Sequence, residues 1–146
     1  FAFHGSRMEC WHAIVRAGLK NVSGTAMMTA GQAHGAGTYT SPDMGTSLGY
    51  SQIRCSAGGG AGDGSTADFL KPDVFCMAIC EIIDTGSSIK KNGSIWVVPN
   101  NDHINTRFLL VWDANNMPRG SSARTTDMDQ ELRIATERGA EMVVAD

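Results

Sequence analysis

Three short runs hold the residues whose types and spacing can do chemistry. The apolar run Phe1 to Phe3 stops at His4-Gly5-Ser6, "GAGTYTS" carries Gly35-x-Gly37-x-Tyr39, and "SLGY" places Ser47 three residues before Tyr50. A strand inside a core rarely ends so abruptly in polar residues, whereas the floor of a pocket does. A histidine there can hydrogen-bond a ligand, and a glycine lets a ligand approach the backbone closely. Taken singly, each residue has a plainer reading: His4 as a structural histidine at a strand end, Tyr39 as a half-buried strand aromatic, Tyr50 as part of a helix face. Their joint order and spacing reverse that preference.

The composition narrows the alternatives. A chain of 146 residues, 42% hydrophobic and 18% charged, is the size of one domain with one proper core. A net charge of -3 gives no electrostatic footprint for a phosphate backbone, which disfavours nucleic acid as the main ligand and leaves it open as an acceptor. Cys10, Cys55, Cys76 and Cys80 contain no Cys-x-x-Cys pair and no histidine at zinc-site spacing, so neither a metal site nor a disulfide framework is indicated, and buried reduced thiols are favoured. There is no signal peptide and no apolar run near the ~20 residues of a membrane span, which points to a soluble intracellular protein, cytoplasmic or nuclear. The chain starts without Met inside a strand-like run, which suggests a piece of something longer. No Gly-x-Ser-x-Gly elbow supports a serine hydrolase.

Certain elements must position the three runs. Ser6 followed by Glu9 reads as a capping box for a helix with Met8, Trp11, Ile14 and Val15 on one side and Gly18 as terminator. Ligand contact by Ser6 is compatible with that cap role. "TYTS" is a short strand, and Ser41 as N-cap with Pro42 at the first helical position starts a second helix to about Ser51, with Ser47 and Tyr50 on one face. "GDGSTA", Gly62 to Ala67, fits a relaxed dinucleotide pattern, but no βαβ unit surrounds it, so it reads as a surface loop. "VFCMAICEII" from Val74, "SIWVV" from Ser94 and "TRFLLVW" from Thr106 are strand-like, with a turn at Lys90 to Gly93 between the first two. Cys76 and Cys80 share strand parity and so one face, and Glu81 reads as core-edge or solvent-facing. His12, His34 and His103 have no partners at catalytic spacing. Residues 114–126 read as a polar linker, and Met128 to Met142 as a helix leaving the domain.

The strand ending in His-Gly-Ser, the helix after it, the Gly-x-Gly-x-Tyr run and the helical Ser-x-x-Tyr together resemble the catalytic domain of PARP-type, diphtheria-toxin-like ADP-ribosyltransferases. The resemblance covers roughly residues 1–112. It implies an α+β ADP-ribosyltransferase fold with two packed, mainly antiparallel sheets and a few helices, in a catalytic domain over 1–113 with 114–146 as linker and tail. It also implies NAD as co-substrate and a protein as the favoured acceptor, beside the expectation of no metal and no membrane that the composition gives. Residue by residue, it implies that Gly5 and Ser47 hold the nicotinamide carboxamide, Tyr39 and Tyr50 frame the ring, His4 bonds a ribose hydroxyl and Ser6 lies near the adenosine ribose. Such residues suit the task, because cleaving the nicotinamide–ribose bond requires gripping a flat amide-bearing ring and a ribose that becomes oxocarbenium-like. Gln32 to Gly37 corresponds to the loop over the donor site and lacks its frequent aromatic.

At a third family position, polymerising members carry a glutamate that activates a ribose hydroxyl; the best match here is Ile95, which can neither accept a proton nor polarise a hydroxyl. The connection "DTGSSIKKNG" is also short where polymerases carry a long acceptor loop. Both departures fit a mono-ADP-ribosyltransferase, and they also fit an inactive relative that binds NAD or ADP-ribose or serves as a scaffold.

Overall fold

The computed structural model describes residues 1–24, 33–51, 74–113, 116 and 122–143. Cys55, the Gly62 to Ala67 run and Gln32 lie outside the described residues. The order of elements is β1 (Ala2–Gly5), α1 (Trp11–Ala17), β2 (Thr38–Thr40), α2 (Met44–Ser51), β3 (Val74–Ile82), β4 (Lys90–Asn92), β5 (Ile95–Val98), β6 (Ile104–Asp113) and α3 (Asp129–Val143). Two antiparallel three-stranded sheets form, ordered β1-β3-β6 and β2-β5-β4, which is the expected α+β architecture. A bridge between Phe3 and Ser41 joins them, with Phe3 N–H on Ser41 O at 2.7 Å and Ser41 N–H on Phe3 O at 2.9 Å.

β3 organises the core because both of its faces are apolar. Cys76, Ala78 and Cys80 face one cluster with Trp11, Leu19, Ile89, Val98 and Ile104, while Met77 and Ile79 face a second with Phe3, Met44, Leu48 and Leu132. Side chains alternate along a strand, so the expected shared face of Cys76 and Cys80 follows directly. Burial pushes the Cys76 thiol up to about 11 and the Cys80 thiol up to about 12. On β6 the register shifts opposite Ile79 and Cys80, so that Ile79 meets Phe108 and Cys80 meets Thr106, with Arg107 as the extra residue. That bulge lets even-numbered residues serve both faces: Ile104 joins the first cluster, and Phe108, Leu110 and Trp112 join the second. Arg107 reaches Glu81 at 2.6 Å on the solvent side, one of the two placements its sequence context allows.

Four local expectations are corrected. The Ser6–Glu9 capping box does not form: Glu9 pairs with Arg7 at 3.1 Å, a 3-10 turn occupies Met8–Cys10, and α1 begins at Trp11. Gly18 does end α1, donating its N–H to Ile14 O at 2.8 Å, but Val15 is 64% exposed and off the buried stripe. Lys90 to Asn92 is a strand rather than a turn, and Gly93 with Ser94 forms the two-residue loop into β5. The tail helix folds back instead of leaving: Leu132 is 9% exposed within the second cluster, and Arg133 stands 5.9 Å from the Phe1 ring. Ser41 takes a cap-like role as expected, its Oγ accepting from Asp43 N–H at 3.0 Å, although α2 itself starts at Met44.

Candidate active site

β1 ends against α2. Both Phe3 backbone groups bond Ser41, so the alternation of an antiparallel ladder turns the N–H and C=O of Gly5, two residues on, toward that same edge and away from β3. A Cβ on Gly5 would overlap the Ser47 carbonyl oxygen and stand 2.9 Å from both the Ser47 carbonyl carbon and Ser51 Oγ. Only glycine permits so close an approach of strand and helix. Ser47 is 3% exposed and its hydroxyl donates to Phe3 O at 3.0 Å, while Ser51 donates to Cys76 O at 3.0 Å. Two side-chain bonds therefore fix α2 to the β1–β3 pair.

His4 faces the other sheet. Its Nδ1 lies 2.8 Å from Tyr39 O, an atom that can only accept, so Nδ1 carries the proton and Nε2 is left as an acceptor. Burial lowers the pKa of the imidazole below its ordinary value, against the opposing effect of that hydrogen bond, which keeps the ring neutral near pH 7. Trp11 meets the ring edge-on at 6.3 Å and donates its Nε1–H to Ser6 O at 3.1 Å.

Tyr39 pairs with Val97 on β5, and Ile95 lies two residues before Val97, so Tyr39, Val97 and Ile95 share one face of the second sheet. The loop from Ala33 to Gly37 folds onto that face. Tyr39 OH donates to Gly35 O at 2.8 Å and accepts from His34 N–H at 3.0 Å. Gly37 adopts φ +151°, and a Cβ there would stand 2.5 Å from Val97 Cγ1. Tyr50, one helical turn beyond Ser47, is 39% exposed.

The chain thus brings His4, Gly5, Tyr39 and Ser47 into a contiguous set, with the Ser6 carbonyl bonded by Trp11, Tyr50 partly exposed on α2 and Ile95 on the Tyr39 face. Sequence reasoning misses two members. His34 is not partnerless: its Nδ1 lies 2.7 Å from Asn92 Nδ2, so the loop is tied to β4. The pair is 58 residues apart, and no spacing rule reaches that far. Among the described residues, no three His, Cys, Asp or Glu side chains group to hold a metal, and no helix is long and apolar enough to cross a membrane.

Comparison with known proteins identifies the family. The chain is 39% identical over 131 residues to protein mono-ADP-ribosyltransferase PARP8 of Homo sapiens, a match that covers 77% of this chain and 15% of that protein. To protein mono-ADP-ribosyltransferase PARP16 of Mus musculus it is 30% identical over 147 residues, covering 84% of this chain and 41% of the relative. The chain therefore spans only a minor part of the length of these relatives. A model of the poly(ADP-ribose) polymerase catalytic domain matches residues 1–84, which include β1, β2, α2 and β3, and with it the chain belongs to the poly(ADP-ribose) polymerase catalytic domain family.

Proposed function

We propose that this chain is an NAD-dependent mono-ADP-ribosyltransferase domain that moves one ADP-ribose unit to an acceptor, most simply a protein side chain, and releases nicotinamide. The family uses NAD as its substrate, and the relatives just named carry mono-ADP-ribosyltransferase in their names. The observation that carries the reading is the β1–α2 wedge, where Gly5, its N–H and C=O turned away from β3, packs against the Ser47 backbone and the Ser47 hydroxyl reaches Phe3 O on the same strand. A primary carboxamide offers one donor group and one acceptor, and Gly5 answers both. Ser47 can turn its hydroxyl from Phe3 O to a ligand at little cost, because Phe3 O keeps the Ser41 N–H bond at 2.9 Å. His4, neutral and with Nε2 accepting, is suited to a ribose hydroxyl. Tyr39 and Tyr50 supply aromatic surface for a flat ring, and Ser6 is left for the adenosine ribose.

Ile95 carries the mono-transfer part of the reading. Extending a chain requires a group that activates a ribose hydroxyl, and an aliphatic side chain on the Tyr39 face has none. The same residue favours the second reading, a domain that binds NAD or ADP-ribose without transfer. In our reading residues 1–113 hold the donor-site residues and 114–146 form the tail. The free thiols of Cys10, Cys76 and Cys80 suit an intracellular setting.

Incubation with NAD followed by intact-mass measurement separates these readings. Transfer gives mass increments of one ADP-ribose, lost in His4→Ala. Nicotinamide binding without increments favours the second reading, and neither binding nor increments sinks both.

A further inference from the structure

We propose that the tail segment Ala123–Thr125 is a strap that sets the position of α2 against β1, with Thr125 as a positioning residue for the donor site. The proposal rests on the donor-site reading above. Ser47 is the fourth residue of α2, and its N–H makes the first i→i−4 bond of the helix, the N–H groups before it having no intrahelical acceptor. The bond from Ser47 N–H to Asp43 O is long, at 3.5 Å, and that turn needs outside support. The tail supplies it: Met44 N–H donates to Ala123 O at 2.9 Å, and Thr125 N–H donates to Pro42 O at 2.9 Å. Asp43 and Arg124 form an antiparallel bridge between the two segments and an ion pair at 3.0 Å.

The same strap reaches the start of β1. Thr125 is 1% exposed, and its Oγ1 donates to Phe1 O at 2.7 Å across 124 residues of sequence. One residue therefore holds both the turn entering α2, through its backbone, and the strand that ends in Gly5, through its side chain. Gly5 and the Ser47 carbonyl are already packed without room for a Cβ, so rotation of α2 about its first turn changes the spacing of the two groups expected to share the carboxamide. The half-exposed Arg124–Asp43 pair contributes little, and the buried hydroxyl is the sharper handle.

The test compares the full chain carrying Thr125→Val, which keeps the shape and removes the donor, with Thr125→Ser, which restores the donor. Four quantities are measured: nicotinamide affinity by calorimetry, KM for NAD separately from kcat, amide exchange over residues 44–51, and melting temperature. The expected result for Thr125→Val is faster exchange over 44–51 with nicotinamide affinity weakened about five-fold and KM raised to match, the effect of one buried hydrogen bond lost. Thr125→Ser should return both to the wild-type values. A Thr125→Val protein that melts earlier yet keeps wild-type affinity and KM overturns the proposal, since a purely structural residue would behave so. Failure of Thr125→Ser to restore them overturns the role of the hydroxyl. If the wild-type chain itself binds no nicotinamide, the donor-site reading has failed and the strap loses its role in it, whereas wild-type binding matched by Thr125→Val fails the strap alone.

Discussion

Replacing Gly5 by alanine tests the wedge directly. The new Cβ meets backbone, the Ser47 carbonyl carbon at 2.9 Å and its oxygen closer still, with Ser51 Oγ also at 2.9 Å. Backbone in a helix cannot rotate out of the way as a flexible side chain can, so α2 has to withdraw by about 1 Å or more to reach ordinary packing distance. Overpacking of this kind costs about 1–3 kcal/mol. In a domain of this size that lowers the melting temperature by roughly 3–10 °C, a loss the fold can survive. Catalysis should suffer more, because a misplacement of about 1 Å in a positioning element can cost on the order of 100-fold. The assay pairs a thermal melt with ADP-ribose transfer at saturating NAD and nicotinamide calorimetry. A folded Gly5→Ala protein with wild-type nicotinamide affinity and transfer rate would refute the argument that Gly5 and Ser47 form one cradle.

Three further outcomes are expected. The pKa of His4 in the folded protein lies below the ordinary 6.5, so its contribution to stability is fully present above pH 6.5 and is lost as pH falls from there through the folded value; the slope reaches at most about 1.4 kcal/mol per pH unit, and melts from pH 7.5 to 5 that show no such decline, or the same decline in His4→Asn, would contradict it. With thiols pushed up to about 11 and about 12, Cys76 and Cys80 should resist alkylation at pH 7 in the native protein and react after denaturation; native labelling of either, read by peptide mass spectrometry, would show that the first core cluster opens readily. Products of automodification should be single units at separate residues because of Ile95, so ribose-to-ribose chains would count against the mono-transfer reading, and Ile95→Glu should destabilise rather than create a polymerase, since that position is half-buried.

Elements with an unambiguous apolar pattern are legible in the sequence alone. The apolar runs place β3, β5 and β6 within two residues of their observed bounds, since Val, Ile, Phe and Trp in short runs bounded by polar turns leave few alternatives. β4 is not legible, because Lys-Lys-Asn has neither alternation nor β-branched residues and is a strand only through its pairing with β5, as Asn92↔Ile95, Lys91↔Trp96 and Lys90↔Val97. The capping box fails for a comparable reason. Ser6 still lies on the strand exit, its carbonyl taken by Trp11, and the helix therefore starts later than the local motif suggests. The bulge at Arg107 leaves no sequence mark at all, although it decides which β6 residues face which cluster.

The candidate site divides along the same line. Its residue types are legible as ordered local motifs, His-Gly, Gly-x-Gly-x-Tyr and Ser-x-x-Tyr, because each sits within one element and needs only that element's geometry. What joins the motifs is not. The His4 tautomer is dictated by a carbonyl 35 residues away, the Ala33 to Gly37 loop is tied down by Asn92, and the first turn of α2 is completed by Ala123. Each of these links is a single hydrogen bond between backbone or small polar groups, which leave no periodicity to read. The consequence is an asymmetry in how substitutions should act. In the proposed reading a change at Tyr50 removes a contact to the ligand and leaves the links intact, a change at His4 removes both a contact and the link to Tyr39 O, and changes at Asn92 or Thr125 leave every ligand contact in place and alter where those contacts stand.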